Sequence, residues 1–190
     1  MRAAYGTSQL GLWGLQTIPN LPPPQAVSSP PVTIAVRQVR DGRPNPEAIG
    51  NKPFGDIKLQ PGVSLTEHVN RGVQLALERA GYKVIPFSKQ GAEKPNVVCD
   101  VLIRDFWVAG VMTFAGYEYL GTVKLAVTFR KPAEEKVVWD QVVGKEYQVA
   151  SMTASESHME QALNEAFAAV LRELAREAGQ PSVKDVARKS

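Results

Sequence analysis

The chain has 190 residues, a formal net charge of +3, 44% hydrophobic residues and 22% charged ones. Those proportions describe an ordinary globular chain, long enough to bury a core without disulfide or metal support. The small, dispersed charge is no nucleic-acid footprint, no apolar run is long enough for a transmembrane helix, and the single cysteine, Cys99, rules out an intrachain disulfide.

Residues 1–31 read as an irregular leader and spacer, with Gly6, Gly11 and Gly14 followed by Pro19, Pro22, Pro23, Pro24, Pro30 and Pro31. The stretch from Leu21 to Pro31 suits an extended polyproline-II spacer. Trp13 is the candidate leader contact, a large apolar group able to pack on the chain's own domain or on a neighbouring copy. The leader lacks the basic segment followed by a continuous apolar run that marks a signal peptide.

The first strand is predicted over Val32–Val39, with Val32, Ile34 and Val36 on one face. The glycines and prolines of Asp41–Gly62 predict a long loop, pinned by Phe54. Ser64-Leu65-Thr66-Glu67 has the capping-box pattern and opens a helix whose apolar stripe is Val69, Val73, Leu77 and Ala80, closed by Gly81. A short strand, Tyr82–Phe87, follows.

Three longer strand-like runs come next, over Val97–Ala109, Thr122–Arg130 and Lys136–Val149. In the second, Val123, Leu125, Val127 and Phe129 oppose Thr122, Lys124, Thr128 and Arg130, the alternation of an antiparallel sheet with one wet face. In the third, Val137, Trp139, Val143, Tyr147 and Val149 form the apolar set. Thr153-Ala154-Ser155-Glu156 is a second capping-box pattern, opening a helix to about Ala178 with Met159, Leu163, Phe167, Val170, Leu171 and Leu174 as its stripe. Residues 181–190 are polar and read as a flexible tail. The predicted fold is α+β: a two-layer sandwich with a mostly antiparallel or mixed sheet of about five strands and two amphipathic helices on one face. The predicted organisation is a leader over 1–31, one domain over 32–180 and a tail over 181–190.

No motif carries catalysis. His68 and His158 each fall in a first helical turn without metal-ligand spacing and read as solvated. Asp100 and Asp105, an odd number of residues apart on one strand, are expected on opposite faces; Asp105 is a possible cross-sheet neighbour of Asp140, and the carboxylates are expected to be solvated or paired with Arg104 or Lys124. Cys99 reads as a small buried hydrophobe. No phosphate-cradling glycine loop, metal site or cofactor motif is present. The stretch Gly110–Leu120 is the one that packing rules leave unexplained. It joins two long strands and carries Met112, Phe114, Tyr117 and Tyr119, the candidate partner-binding residues.

The run V-N-R-G-V-Q-L-A-L-E-R-A-G-Y-K-V-I, the strand V-C-D-V-L-I-R-D-F-W-V with the two alternating strands after it, and the helix A-L-N-E-A-F-A-A-V-L-R-E-L-A together resemble the YajG-type bacterial lipoproteins. The chain is similar more distantly to LptE-like and other transport auxiliary outer-membrane lipoproteins. The resemblance spans roughly residues 32–178 and includes no catalytic signature. It implies a periplasmic α+β module tethered to the outer membrane through an acylated N-terminal cysteine. No such cysteine stands near Met1, so the resemblance implies that leader and anchor precede it; a native start at Met1 would instead place the protein in the cytoplasm. The expected function is a non-enzymatic envelope accessory module whose partners are other envelope proteins or further copies of itself. The alternative is a small-ligand or lipid-binding protein using a pocket between sheet and helices, or the hairpin over 110–120.

Overall fold

The meander at the centre of the chain is built from β6 (Val97–Thr113), β7 (Gly116–Arg130) and β8 (Val137–Ser151), paired antiparallel in sequence order. The structure, a computed structural model, describes residues 8–10, 23, 25, 31–53, 55–87 and 94–188. Among these are eight strands in one sheet and three helices, an α+β fold. The other strands are β1 (Ser8–Leu10), β2 (Thr33–Asp41), β3 (Gly50–Lys52), β4 (Gly55–Leu59) and β5 (Lys83–Pro86). The helices are α1 (Leu65–Arg79), α2 (Glu156–Ala178) and α3 (Pro181–Arg188).

The length of β6 lets two sets of strands share its second edge. Its first half pairs parallel with β2, which pairs parallel with β5. Its far end pairs parallel with β3 at Val108 and Ala109; β4 adds antiparallel to β3, and β1 adds parallel to β4. The three short strands lie in stretches expected to be loop and leader. A three-residue strand shows no period of two, and sheet pairing overrides the local glycines. The leader is therefore tied down at Leu10, which is fully buried. Gln25 ties it again: its backbone N–H donates to the Arg79 carbonyl at 3.0 Å, and its side chain accepts from Lys184 Nζ at 3.0 Å. Trp13 and Phe54 lie outside the described residues.

Alternation decides the layers. Register sets Ile103, Leu125 and Val143 side by side, and Phe106 beside Val123; all five are buried against the helices. The predicted stripe of α1 is buried, as is that of α2. Contact between the layers is close. A Cβ on Gly121 would lie 2.3 Å from the Ala162 carbonyl oxygen, and one on Gly72 would lie 2.6 Å from the Phe167 ring, so glycine is what lets α2 approach β7 and α1.

The helix ends correct two expectations. Ser64 does cap α1, its hydroxyl accepting the Glu67 N–H at 3.3 Å. At α2 the cap is Ser155 rather than Thr153, its hydroxyl accepting the Ser157 N–H at 3.2 Å. The expected flexible tail is instead α3: Val183 and Ala187, four residues apart, put their apolar sides on the core.

Candidate functional site

Beyond the reach of α2, the β6–β7 hairpin continues to a two-residue turn. Thr113 pairs with Gly116, which leaves Phe114 and Ala115 outside the ladder. Gly116 has φ of +136°, and a Cβ there would lie 2.4 Å from the Ser151 carbonyl oxygen, so both conformation and space demand glycine. Phe114 is fully exposed, and Val111 (56%) and Met112 (57%) near the end of β6 and Met152 (83%) just past β8 are exposed as well. Tyr117 pairs with Ser151, which brings Met152 to the same tip.

The four residues singled out in the sequence separate here. Met112 and Phe114 are displayed. Tyr117 is half-buried and packs on the core, its ring stacked on Tyr119 at 6.4 Å. Tyr119 corrects the expectation: it is 1% exposed and belongs to the core. Its ring lies beside Gly110, where a Cβ would come within 3.2 Å of it, and its hydroxyl accepts the Ser155 N–H at 3.1 Å. It also stacks with His158 at 6.3 Å. Tyr119 thus fastens the start of α2 to the hairpin and rigidifies the base of the tip. Val111 and Met152 escaped the sequence reading. Val111 is masked by strand alternation, and Met152 reaches the tip only through the β7–β8 register.

The remaining polar residues do not converge on chemistry. A β-bulge between Ile103 and Asp105 inserts Arg104, so Asp100 and Asp105 fall on the same outer face rather than on opposite faces. Asp105 sits opposite Lys124, whereas Asp140 sits opposite Thr128 and accepts its hydroxyl at 2.7 Å; the two carboxylates do not meet. Asp100 binds neither Arg104 nor Lys124. It takes a two-pronged bond from Arg37, at 2.9 and 2.6 Å, with Arg130 at 3.3 Å. The Arg37 guanidinium beside it holds its carboxyl below the usual carboxylate range. Arg37 also reaches Glu135, at 2.6 Å. This network staples β2, β6 and the β7–β8 turn.

Arg43 is a second staple. It is buried, binds the Asp41 carboxylate and donates to the carbonyls of Ala48, Pro46 and Phe106. Burial pushes the Cys99 thiol well up, which keeps it unreactive. His68 is not solvated as expected, and His158 is half-buried with its Nδ1 shielded. His68 is 7% exposed, wedged between the rings of Phe106 and Phe167, and burial lowers its pKa to about 4. Among the described residues, no three His, Cys, Asp or Glu stand close enough to hold a metal ion, and no helix is long and apolar enough to cross a membrane. The interval between sheet and helices is filled by side chains such as Phe106, Val108, Phe167 and Leu171. An open cleft of about 160 Å³ lies between β2 and the start of α1, lined mainly by polar groups including Arg37, Gln38, Glu67 and Asn70.

No family model matches the sequence, and no curated protein does. A solved structure shares the fold. It is a Xanthomonas campestris protein of family DUF330, similar at 14% identity with a TM-score of 0.58, over 82% of this chain and 88% of that one. Weaker similarity, each with a TM-score of 0.45 over 78% of this chain and 92% of the other, is found to a minor lipoprotein of Acinetobacter baumannii at 7% identity and to the PelC dodecamer of Paraburkholderia phytofirmans at 11%. At such identities the likeness is one of fold.

Proposed function

We propose that this chain is the α+β module of a cell-envelope lipoprotein, of YajG type and held at the periplasmic face of the outer membrane, that acts as a non-enzymatic accessory module and makes its contacts through the β6–β7 tip. The observation that carries the reading is the contrast within one hairpin. Tyr119 locks the base into the core, whereas Val111, Met112, Phe114 and, from the end of β8, Met152 stand in solvent at the apex. Exposed apolar groups held on a rigid support mark contact surfaces. The lipoprotein assignment is supported by the sequence resemblance over residues 32–178. Among the described residues, the interval between sheet and helices is occupied by core side chains, which favours the tip over a pocket there.

The test is a photoreactive amino acid placed at position 114 and, as a control, at position 124 on the outer sheet face, in cells with a bacterial envelope. The reading expects adducts from position 114 and none from position 124. Equal or absent crosslinking at the two positions would overturn it.

A further inference from the structure

The β6–β7 tip has the features of an element that meets lipid. We propose that it seats in the surface of a lipid bilayer, with Phe114, Met112 and Met152 as the inserted side chains. The inference rests on reading this tip as the contact surface, and it names the partner.

Charge is the first reason. From Ala109 to Tyr117 and from Val149 to Ser155 the chain carries no Asp, Glu, Lys, Arg or His. The first charged residue beyond the apex, Glu118, sits opposite Val111 on the outer face, away from the face of Met112, and accepts a bond from Gln148 at 3.1 Å. An apex without charge enters a bilayer interface without losing the hydration of an ion. A protein partner reached through a periphery this poor in charge would lack the polar rim that fixes register.

The backbone is the second. The ladder runs to Thr113 and Gly116, so the hairpin satisfies its own N–H and C=O groups almost to its end, and the Thr113 hydroxyl donates to the Gly116 carbonyl at 3.3 Å. Lipid tolerates only backbone that is paired internally.

Direction is the third. β6 runs toward the tip, β3 runs parallel to β6, β4 runs antiparallel to β3, and β1 runs parallel to β4. β1 therefore runs away from the tip, with Ser8 at its tip-ward end, level with Val108. On the lipoprotein reading the anchor lies N-terminal to β1, whose first residue stands at the tip-ward end of that strand. An anchored chain gains lasting attachment from such a second apolar element.

The probe is vesicles of phosphatidylethanolamine and phosphatidylglycerol, and separately of phosphatidylcholine, mixed with the full chain without an acyl anchor and resolved by flotation. The unmodified chain is expected to float with both, with little dependence on salt. Phe114→Asp is expected to lower the vesicle-bound fraction by about 10-fold or more, since a buried phenylalanine supplies a tenfold or greater share of partitioning. The variant should melt at the same temperature, because Phe114 packs on nothing it would disturb. Phe114→Trp should gain a lipid-quenchable, blue-shifted emission on vesicle addition. A chain that does not float, or a Phe114→Asp variant that floats as well as the parent, overturns the inference. If the chain fails to float while the photoreactive side chain at position 114 yields a protein adduct, the lipid inference falls and the reading of the tip as contact surface stands; if that adduct is also missing, both fall.

Discussion

His68→Leu should flatten the acid side of the stability curve. His68 sits 5.1 Å from the Phe167 ring and 6.4 Å from that of Phe106, and its Nε2 has no hydrogen-bond partner. Burial, with a contribution from the Arg71 charge, lowers its pKa from 6.5 to about 4. Above the higher value the imidazole is neutral in both folded and unfolded chains and contributes nothing to the pH dependence. Below it the unfolded chain takes up a proton that the folded site refuses. Stability therefore falls as the pH drops, and the loss levels off once the folded site protonates as well. At about pH 5 the linkage relation gives a loss of about 2 kcal/mol relative to neutral pH, rising toward about 3 kcal/mol below the folded value. Urea denaturation of the parent and the variant at about pH 7 and about pH 5 measures it. Subtracting the two proteins removes the carboxylates common to both, including Asp100 and Asp41, whose arginine partners hold them low. The parent should lose about 2 kcal/mol more than the variant over that interval. Parallel pH dependence in the two proteins would refute a neutral imidazole buried between the two rings.

Two packing contacts give further expectations. Tyr119→Phe removes the acceptor of the Ser155 N–H, and should cost about 1 kcal/mol in urea denaturation, with faster amide exchange at the first turn of α2; unchanged exchange there would show that the bond does not hold the helix start. Gly121→Ala puts a Cβ against the Ala162 carbonyl and should cost about 1–3 kcal/mol as α2 is pushed from β7. A melting temperature equal to the parent's would contradict the close approach of that helix.

The sandwich was legible because its elements are long. Val123, Leu125, Val127 and Phe129 alternate without interruption, and Leu163, Phe167, Val170 and Leu174 keep helical spacing. The short strands were not, because Gly50–Lys52 and Ser8–Leu10 gain their form from partners distant in sequence. Arg104 shows why facing could not be counted through β6: one bulged residue moves Asp105 to the face of Asp100. His68 misled because a polar residue in a first helical turn is ordinarily wet, and the rings that enclose it, Phe106 and Phe167, come from distant elements. The hairpin stretch stood out by composition, yet composition does not show where the helix cover stops. Tyr119 lies under that cover, and Met112 beyond it. Val183 and Ala187 carried a helical signal that the surrounding polar residues obscured.

Phe114→Cys offers the most direct measurement of whether the tip is a working contact surface. Cys99 is fully buried, so a thiol reagent reports on position 114 alone. In purified protein the new thiol should react at the rate of a free exposed cysteine. In intact envelope it should be protected, whereas Glu146→Cys on the outer sheet face, in a Cys99-silent background, reacts alike in both settings. Equal labelling of position 114 in purified protein and in the envelope would contradict the account.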